Sequence, residues 1–186
     1  MADQPEAPDL VFFPVTRDRL GDFIALFEGR GGPKHCWCMV WRGSAAEKHE
    51  QGGALKKAQM LKRIEAGVPI GLIGTEDGVP RAFVSIAPRT THIRLGGPEA
   101  APDENIWSLT CLFVHKSMRG RGIAHRLIEA AIAHARERGA SVVEAYPVLP
   151  TSPSFRFMGF VPAFERAGFV FSNMAGTRRH VMRLEL

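Results

Sequence analysis

Ile106-Trp107-Ser108-Leu109-Thr110-Cys111-Leu112-Phe113-Val114, followed after a short gap by Arg119-Gly120-Arg121-Gly122-Ile123-Ala124, is the stretch that decides the fold. The first run is rich in apolar and β-branched residues and reads as a strand. Beyond the glycines, Ala124, Leu127, Ile128, Ala131, Ile132 and Ala135 recur at helical spacing, and Gly139 follows as a helix stop. Gly120 and Gly122 therefore stand where a strand turns into a helix N-terminus. That end presents unpaired backbone N–H groups and the positive end of the helix dipole. Without Cβ atoms, the two glycines let a phosphate come close to the main chain. The stretch reads as an anion cradle for a phosphate-bearing ligand.

Two common phosphate motifs do not fit. A Walker loop needs Gly-x-x-x-x-Gly-Lys-Ser/Thr, which the chain lacks. The dinucleotide fingerprint needs Gly or Ala three residues after Gly122, where His125 stands, and belongs in an opening βαβ unit rather than late in the chain. What remains is Arg119-x-x-Gly122-x-Ala124, five residues after Val114. This resembles the coenzyme motif of the GCN5-related N-acetyltransferase (GNAT) superfamily, Gln/Arg-x-x-Gly-x-Gly/Ala. The resemblance implies that the loop amides hold the pyrophosphate of coenzyme A and that the main chain of the preceding strand pairs with the pantetheine arm. Carried to this chain, it makes the backbone of Leu112, Phe113 and Val114, together with Arg119, Gly120, Arg121, Gly122, Ile123, Ala124 and His125, the expected coenzyme site, with acetyl-CoA as acyl donor.

The surroundings extend the resemblance over most of the chain. Residues 141–146 read as the next strand. Phe164-Glu165-Arg166-Ala167-Gly168-Phe169 is similar to the family's aromatic-x-x-x-Gly-Phe segment, where a short helix ends at glycine and enters a strand. The final run, 180–186, alternates apolar and polar. Earlier, residues 10–15 read as a first strand, and residues 17–29 as a helix with Leu20, Phe23, Ile24 and Phe27 on one face. Residues 45–66 read as a second helical stretch split at Gly52-Gly53. Residues 70–75 and 82–86 read as a strand pair. The expected architecture is α/β: a mixed, mostly antiparallel sheet with helices on both faces, opened in a V at the coenzyme.

Composition sets the outer bounds. A chain of 186 residues with 45% hydrophobic and 23% charged residues is an ordinary single globular domain, expected over 10–186 behind a loose tail at 1–9. No apolar run approaches a membrane span, and the polar, acidic opening Met1-Ala2-Asp3-Gln4-Pro5-Glu6 lacks the regions of a signal peptide. Three cysteines make no complete disulfide framework, so a reducing cytoplasm is the expected compartment. The net charge of +5 favours anionic partners. Coenzyme phosphates suffice for that. A nucleic-acid-binding module is disfavoured by the lack of a recognition helix, zinc-finger spacing or RNA-stacking motif. A homodimer is compatible with the resemblance.

The chemistry departs from the family pattern. The resemblance implies direct attack of a neutral amine, of a small molecule or a peptide, on the acetyl thioester. A tyrosine usually protonates the departing thiolate, and here that position is Phe164, while Phe157 stands at a frequent asparagine. Two readings follow: an N-acetyltransferase with a substitute acid, or a catalytically silent acyl-CoA sensor. Tyr146, the only tyrosine, is the expected substitute acid, or else an amphipathic residue closing its strand before Pro147. Glu144 shares its face by two-residue spacing and is a candidate base, or else an ion-paired strand residue.

His35-Cys36-Trp37-Cys38 invites a zinc reading, but Cys-x-Cys lacks a second pair, so no metal is expected. Trp37 and Trp41 are instead the expected acceptor-binding residues, one walling the acceptor side of the cleft and the other packed in the core. Cys111 offers a thiol for covalent acetyl transfer, or packs as a small hydrophobe. His92 and Arg94 lie in the long connection 88–105, where they meet either substrate or solvent.

Overall fold

The computed structural model describes residues 10–49 and 52–186. The expected tail at 1–9 lies outside the described residues. The chain runs β1 (Val11–Pro14), α1 (Leu20–Glu28), α2 (Ala45–Lys48), α3 (Gly53–Glu65), β2 (Leu72–Glu76), β3 (Val79–Pro88), β4 (Ile106–Val114), α4 (Ile123–Glu137), β5 (Val142–Ala145), α5 (Val161–Arg166), β6 (Val170–Ala175) and β7 (Arg179–Glu185). Among the described residues one seven-stranded sheet has the order β1-β2-β3-β4-β5-β7-β6. Only β4 and β5 pair in parallel, because α4 crosses between them; the other pairs are antiparallel. The expected first helix begins with a 3-10 turn at Arg17–Arg19, where Thr16 makes no side-chain cap bond, and becomes α-helical from Leu20.

Two apolar layers cover the sheet. On one face α4 buries Ile123, Leu127, Ile128, Ala131 and Ala135 against Val84, Ile86, Leu109 and Val143. Gly139, at φ 77°, ends that helix in the left-handed region. On the other face Phe23 and Phe27 of α1 pack with Trp37, Phe83, Ile73 and Met60. Ring centroids lie 5.2 Å apart for Phe27–Trp37 and 5.3 Å for Phe27–Phe83. Burying each of these large side chains contributes roughly 2–3 kcal/mol.

Two irregularities of β4 create the cleft. Ser85 of β3 faces Cys111 and Ile86 faces Leu109, so Thr110 is an extra, bulged residue. The bulge resets the side-chain alternation. Trp107 and Leu109 before it, and Leu112 and Val114 after it, all join the α4 face, while Cys111 and Phe113 join the α1 face. The pairing with β5 stops at Leu109–Ala145. Beyond that point β4 keeps β3 on one side and, among the described residues, has no strand on the other.

Candidate active site

The far end of the open strand is built from backbone. Gly120 and Gly122 have φ of 76° and 71°, and a Cβ on either would meet nothing within 4 Å. Gly122 caps α4, its carbonyl accepting from the N–H of His125 at 3.1 Å. The N–H groups of Ile123 and Ala124 open the first turn. Beside them runs a groove of about 260 Å³ lined by Val114, Arg119, Gly120, Gly122, the first turn of α4, and Ala163 and Arg166 of α5. Its left-handed glycines, helix N-terminus and flanking cations suit a pyrophosphate. Coenzyme A therefore fits the residues present. Leu112, Phe113 and Val114 supply the open strand edge leading to the groove. Not every side chain of the motif faces it. Arg119 Nε donates to the Val114 carbonyl at 3.3 Å, and the Arg121 side chain turns to Glu76 at 3.5 Å rather than lining the groove. His125 Nε2 lies 3.4 Å from Glu129.

The near end, where β4 and β5 part, is built from side chains. A mostly apolar cavity of about 140 Å³ is lined by Cys36, Cys38, Trp41, Thr110, Cys111 and Leu112, with Phe157 and Phe113 among its remaining walls. Of the two expected acceptor-wall residues, Trp41 lines it. Trp37 does not: it is 1% exposed in the α1 core. Its assignment to the acceptor site is corrected, because the ring is enclosed by Phe23 and Phe27. The Trp41 ring carries the Arg179 guanidinium at 4.4 Å, and its indole N–H is buried without a partner among the described residues.

Behind this cavity lie two buried polar networks. In the first, Tyr146 is the residue immediately past the last β4–β5 pair. Its hydroxyl donates to Glu144 and lies 3.0 Å from Ser108 Oγ. Burial, then the neighbouring Glu144, push its pKa well above the usual tyrosine value. Glu144 faces Arg89 at 3.3 Å and is roofed by Gly97, where any Cβ would collide with the carboxylate. Both Tyr146 and Glu144 are 0% exposed. The two residues expected to share a strand face are directly hydrogen-bonded, and Glu144 is an enclosed ion-pair partner rather than a base open to an incoming amine.

The second network is anchored on Arg42, which is 4% exposed. Its guanidinium donates to the carbonyl of Ile70 and to Ser85 Oγ, both at 3.1 Å, and to Thr91 Oγ1 at 3.2 Å. Thr110 donates to Ser85 Oγ at 3.0 Å and approaches His92 Nε2 at 3.4 Å. Thr91 donates to the Pro88 carbonyl at 2.8 Å, and its oxygen lies 3.3 Å from His92 Nδ1. Burial, reinforced by Arg42, pushes the His92 pKa well below its ordinary value, so the ring is neutral at neutral pH. On its other side His92 lines a groove of about 520 Å³ along residues 89–99. The connection 88–105 is fixed in place: the Ile93 N–H donates to the Trp41 carbonyl, Asn173 Nδ2 to the Gly96 carbonyl and Arg179 to the Leu95 carbonyl.

Phe164, at the position of the family's usual acid, is 0% exposed and packs edge-on against Phe169 at 5.2 Å. Among the described residues no group of three or more His, Cys, Asp or Glu side chains is arranged to hold a metal ion.

A strand that parts from its parallel neighbour at a bulge, with a glycine turn and helix N-terminus at its far end, defines an α/β acyl-coenzyme transferase scaffold. The sequence matches the model of the acetyltransferase (GNAT) family over residues 35–160, and the chain belongs to that family of N-acetyltransferases. Three similar solved structures share the fold. The GNAT domain of S. lividans PAT is 20% identical, covers 99% of each chain and has a TM-score of 0.61. Ribosomal-protein-alanine N-acetyltransferase from Brucella melitensis is 17% identical over 95% of this chain and 100% of its own, at 0.57. The paia N-acetyltransferase from Thermoplasma acidophilum, in complex with coenzyme A, is 14% identical over 96% and 99%, at 0.56. A comparison with curated protein sequences gives no match.

Proposed function

We propose that this chain transfers acetyl from acetyl-CoA to the amine of a small molecule or peptide, by direct attack of the neutral amine on the thioester. The observation that carries this is the parting of β4 from β5 at Leu109–Ala145, with the glycine turn at the far end of the open strand and a cavity at the near end. Residues 112–114 and 119–125 would hold the coenzyme through backbone groups, and the bound donor supplies an activated acetyl thioester. The amine would enter past Trp41, which lines the cavity with the Arg179 guanidinium on its ring.

For the protons we propose two groups. Tyr146, protonated and next to the parting point, would turn its hydroxyl from Glu144 to the departing thiolate, with Glu144 and Arg89 orienting it. Thr110 would turn its hydroxyl proton from Ser85 to Nε2 of neutral His92 while its oxygen takes the proton that the amine loses as it attacks, and His92 would pass a proton to the groove along 89–99. The second reading, a catalytically silent acyl-CoA sensor, is favoured by the apolar, core-packed Phe164. Thiol release from acetyl-CoA across a panel of amines separates them. Turnover with any amine supports the transferase, and tight coenzyme binding without turnover supports the sensor.

A further inference from the structure

All three cysteines of the chain line one cavity. They come from distant places: Cys36 and Cys38 from the turn after α1, Cys111 from the residue after the bulge in β4. Cys36 and Cys111 are half-buried on the cavity wall and Cys38 is buried between them. The turn that gathers them is strained. Trp37 and Cys38 are consecutive non-glycine residues in the left-handed region, at φ 46° and 54°. Each such residue costs roughly 1–2 kcal/mol, and strain of this kind collects at functional sites. The turn brings Cys36 and Cys38 onto one wall of the cavity, facing Cys111.

That surrounding favours a thiolate. The hydrogen bond from the Cys38 thiol lowers the Cys36 pKa most; burial opposes it. The Cys38 N–H, the Lys56 charge on α3 and the Cys36 N–H lower it further, to about 6. Cys38, buried beside Cys111 and Cys36, has its pKa pushed well up by those thiols and by burial and stays a thiol. As a thiol, Cys36 would instead donate to the Pro33 carbonyl at 3.4 Å. The group ionised at neutral pH is therefore the half-exposed one, and its thiol neighbour serves as donor. Across the cavity stand Thr110, Cys111 and Leu112, the first residues of the open part of β4.

We propose that Cys36 is a nucleophilic acylation site: when no amine occupies the cavity, its thiolate takes the acetyl group from acetyl-CoA bound along β4. The Cys36 sulfur adds to the carbonyl carbon of the donor thioester. The carbon–sulfur bond to the coenzyme breaks, and the coenzyme leaves as a thiolate that water protonates. One thioester replaces another, so the step needs no oxidant and is close to balanced. The acetylated side chain then lies in the cavity that the amine must enter. This inference rests on the acetyl-CoA reading of the site.

The test uses the full chain and acetyl-CoA alone. Intact mass after an acid quench should show one added acetyl group per chain, with about one equivalent of coenzyme thiol released. Peptide mapping should place the group on Cys36, and neutral hydroxylamine should remove it. On the protein without coenzyme, limiting iodoacetamide should alkylate Cys36 before Cys38 and Cys111. Cys36→Ser, checked for folding by circular dichroism, should lose the acetylation at least ~tenfold while coenzyme A still binds in calorimetry. Cys111→Ala, in which Cys36 is intact, should keep it. An unmodified chain that binds acetyl-CoA overturns this inference and leaves the transferase reading standing. Acetyl on Cys111, or labelling at the same rate in the urea-unfolded chain, also overturns it. Failure to bind coenzyme A at all overturns the transferase reading itself.

Discussion

The two ends of the open β4 edge are built on opposite principles. The coenzyme end uses backbone: two left-handed glycines, a helix N-terminus and an unpaired strand edge. The acceptor end uses side chains from the turn at 36–42, from β3, from β4 and from the connection 88–105, joined through buried hydrogen bonds. A backbone site tolerates changes of side chain and suits a ligand common to a whole family. A side-chain site is specific, and it fails when one member is lost, because buried polar groups left unpaired cost about 1–3 kcal/mol each. The comparison predicts different modes of failure at the two ends.

The largest expected effect is on rate at the acceptor end. With an amine that turns over, His92→Gln and Tyr146→Phe should each lower kcat by about 10²-fold, with coenzyme affinity near wild type. The wild-type rate should hold as pH falls through the ordinary histidine range. It should drop only once His92 takes up its proton, below that range, because burial and Arg42 depress its pKa. A His92→Gln enzyme with full kcat would return His92 to a packing role and erase half of the comparison.

Next comes stability. Arg42→Met leaves the Ile70 carbonyl, Ser85 and Thr91 without their shared donor, and should cost about 3 kcal/mol in urea unfolding. A cost below about 1 kcal/mol would mean that the acceptor end does not depend on this buried cation.

At the coenzyme end, Gly122→Val places a β-branched residue at φ 71° in the mouth of the cradle. Coenzyme A affinity, measured by calorimetry on folded variant, should fall at least ~tenfold, about 1.4 kcal/mol. Arg121→Ala should bind nearly as well as wild type, since that side chain faces Glu76. A large loss from Arg121→Ala with little from Gly122→Val would invert the backbone account.

The smallest effect concerns the tie between α2 and α3. Arg63 hydrogen-bonds Glu47 at 2.7 Å and holds its pKa down at about 2. A depressed carboxylate contributes stability above its unfolded pKa of about 4.3 and loses it as pH falls toward the folded value. Glu47→Gln should therefore cost a few tenths to about 1 kcal/mol at pH 7, since the pair is partly solvated, and almost nothing near pH 2. An undiminished cost at that pH would point to packing rather than charge.

What the sequence determined by itself is what is local. The strand before the glycines, the periodicity of α4, the stop at Gly139 and the break at Gly52-Gly53 are each written in neighbouring residues. They were enough to propose where a coenzyme cradle stands, because a backbone site needs only the right φ angles and the right succession of elements. The sequence also separated the chain from the Walker and dinucleotide patterns, and it flagged the 36–41 block and the missing acid at Phe164. Tertiary structure decided the rest. Which tryptophan faces the cavity depends on how the turn at 37–38 curls, and left-handed φ at Trp and Cys has no signature in composition. Ser85 and Arg42 gave only faint signals, a lone serine inside an apolar strand and a cation closing an apolar block. Their partnership with Thr110 and His92 joins segments far apart in the chain. Cys111 meets Cys36 and Cys38 only because β4 lies beneath that turn, with the bulge at Thr110 setting the face on which its side chain emerges. Hydrogen bonds and thiol contacts act over a few ångströms of space, so only the folded chain brings these residues within reach of one another.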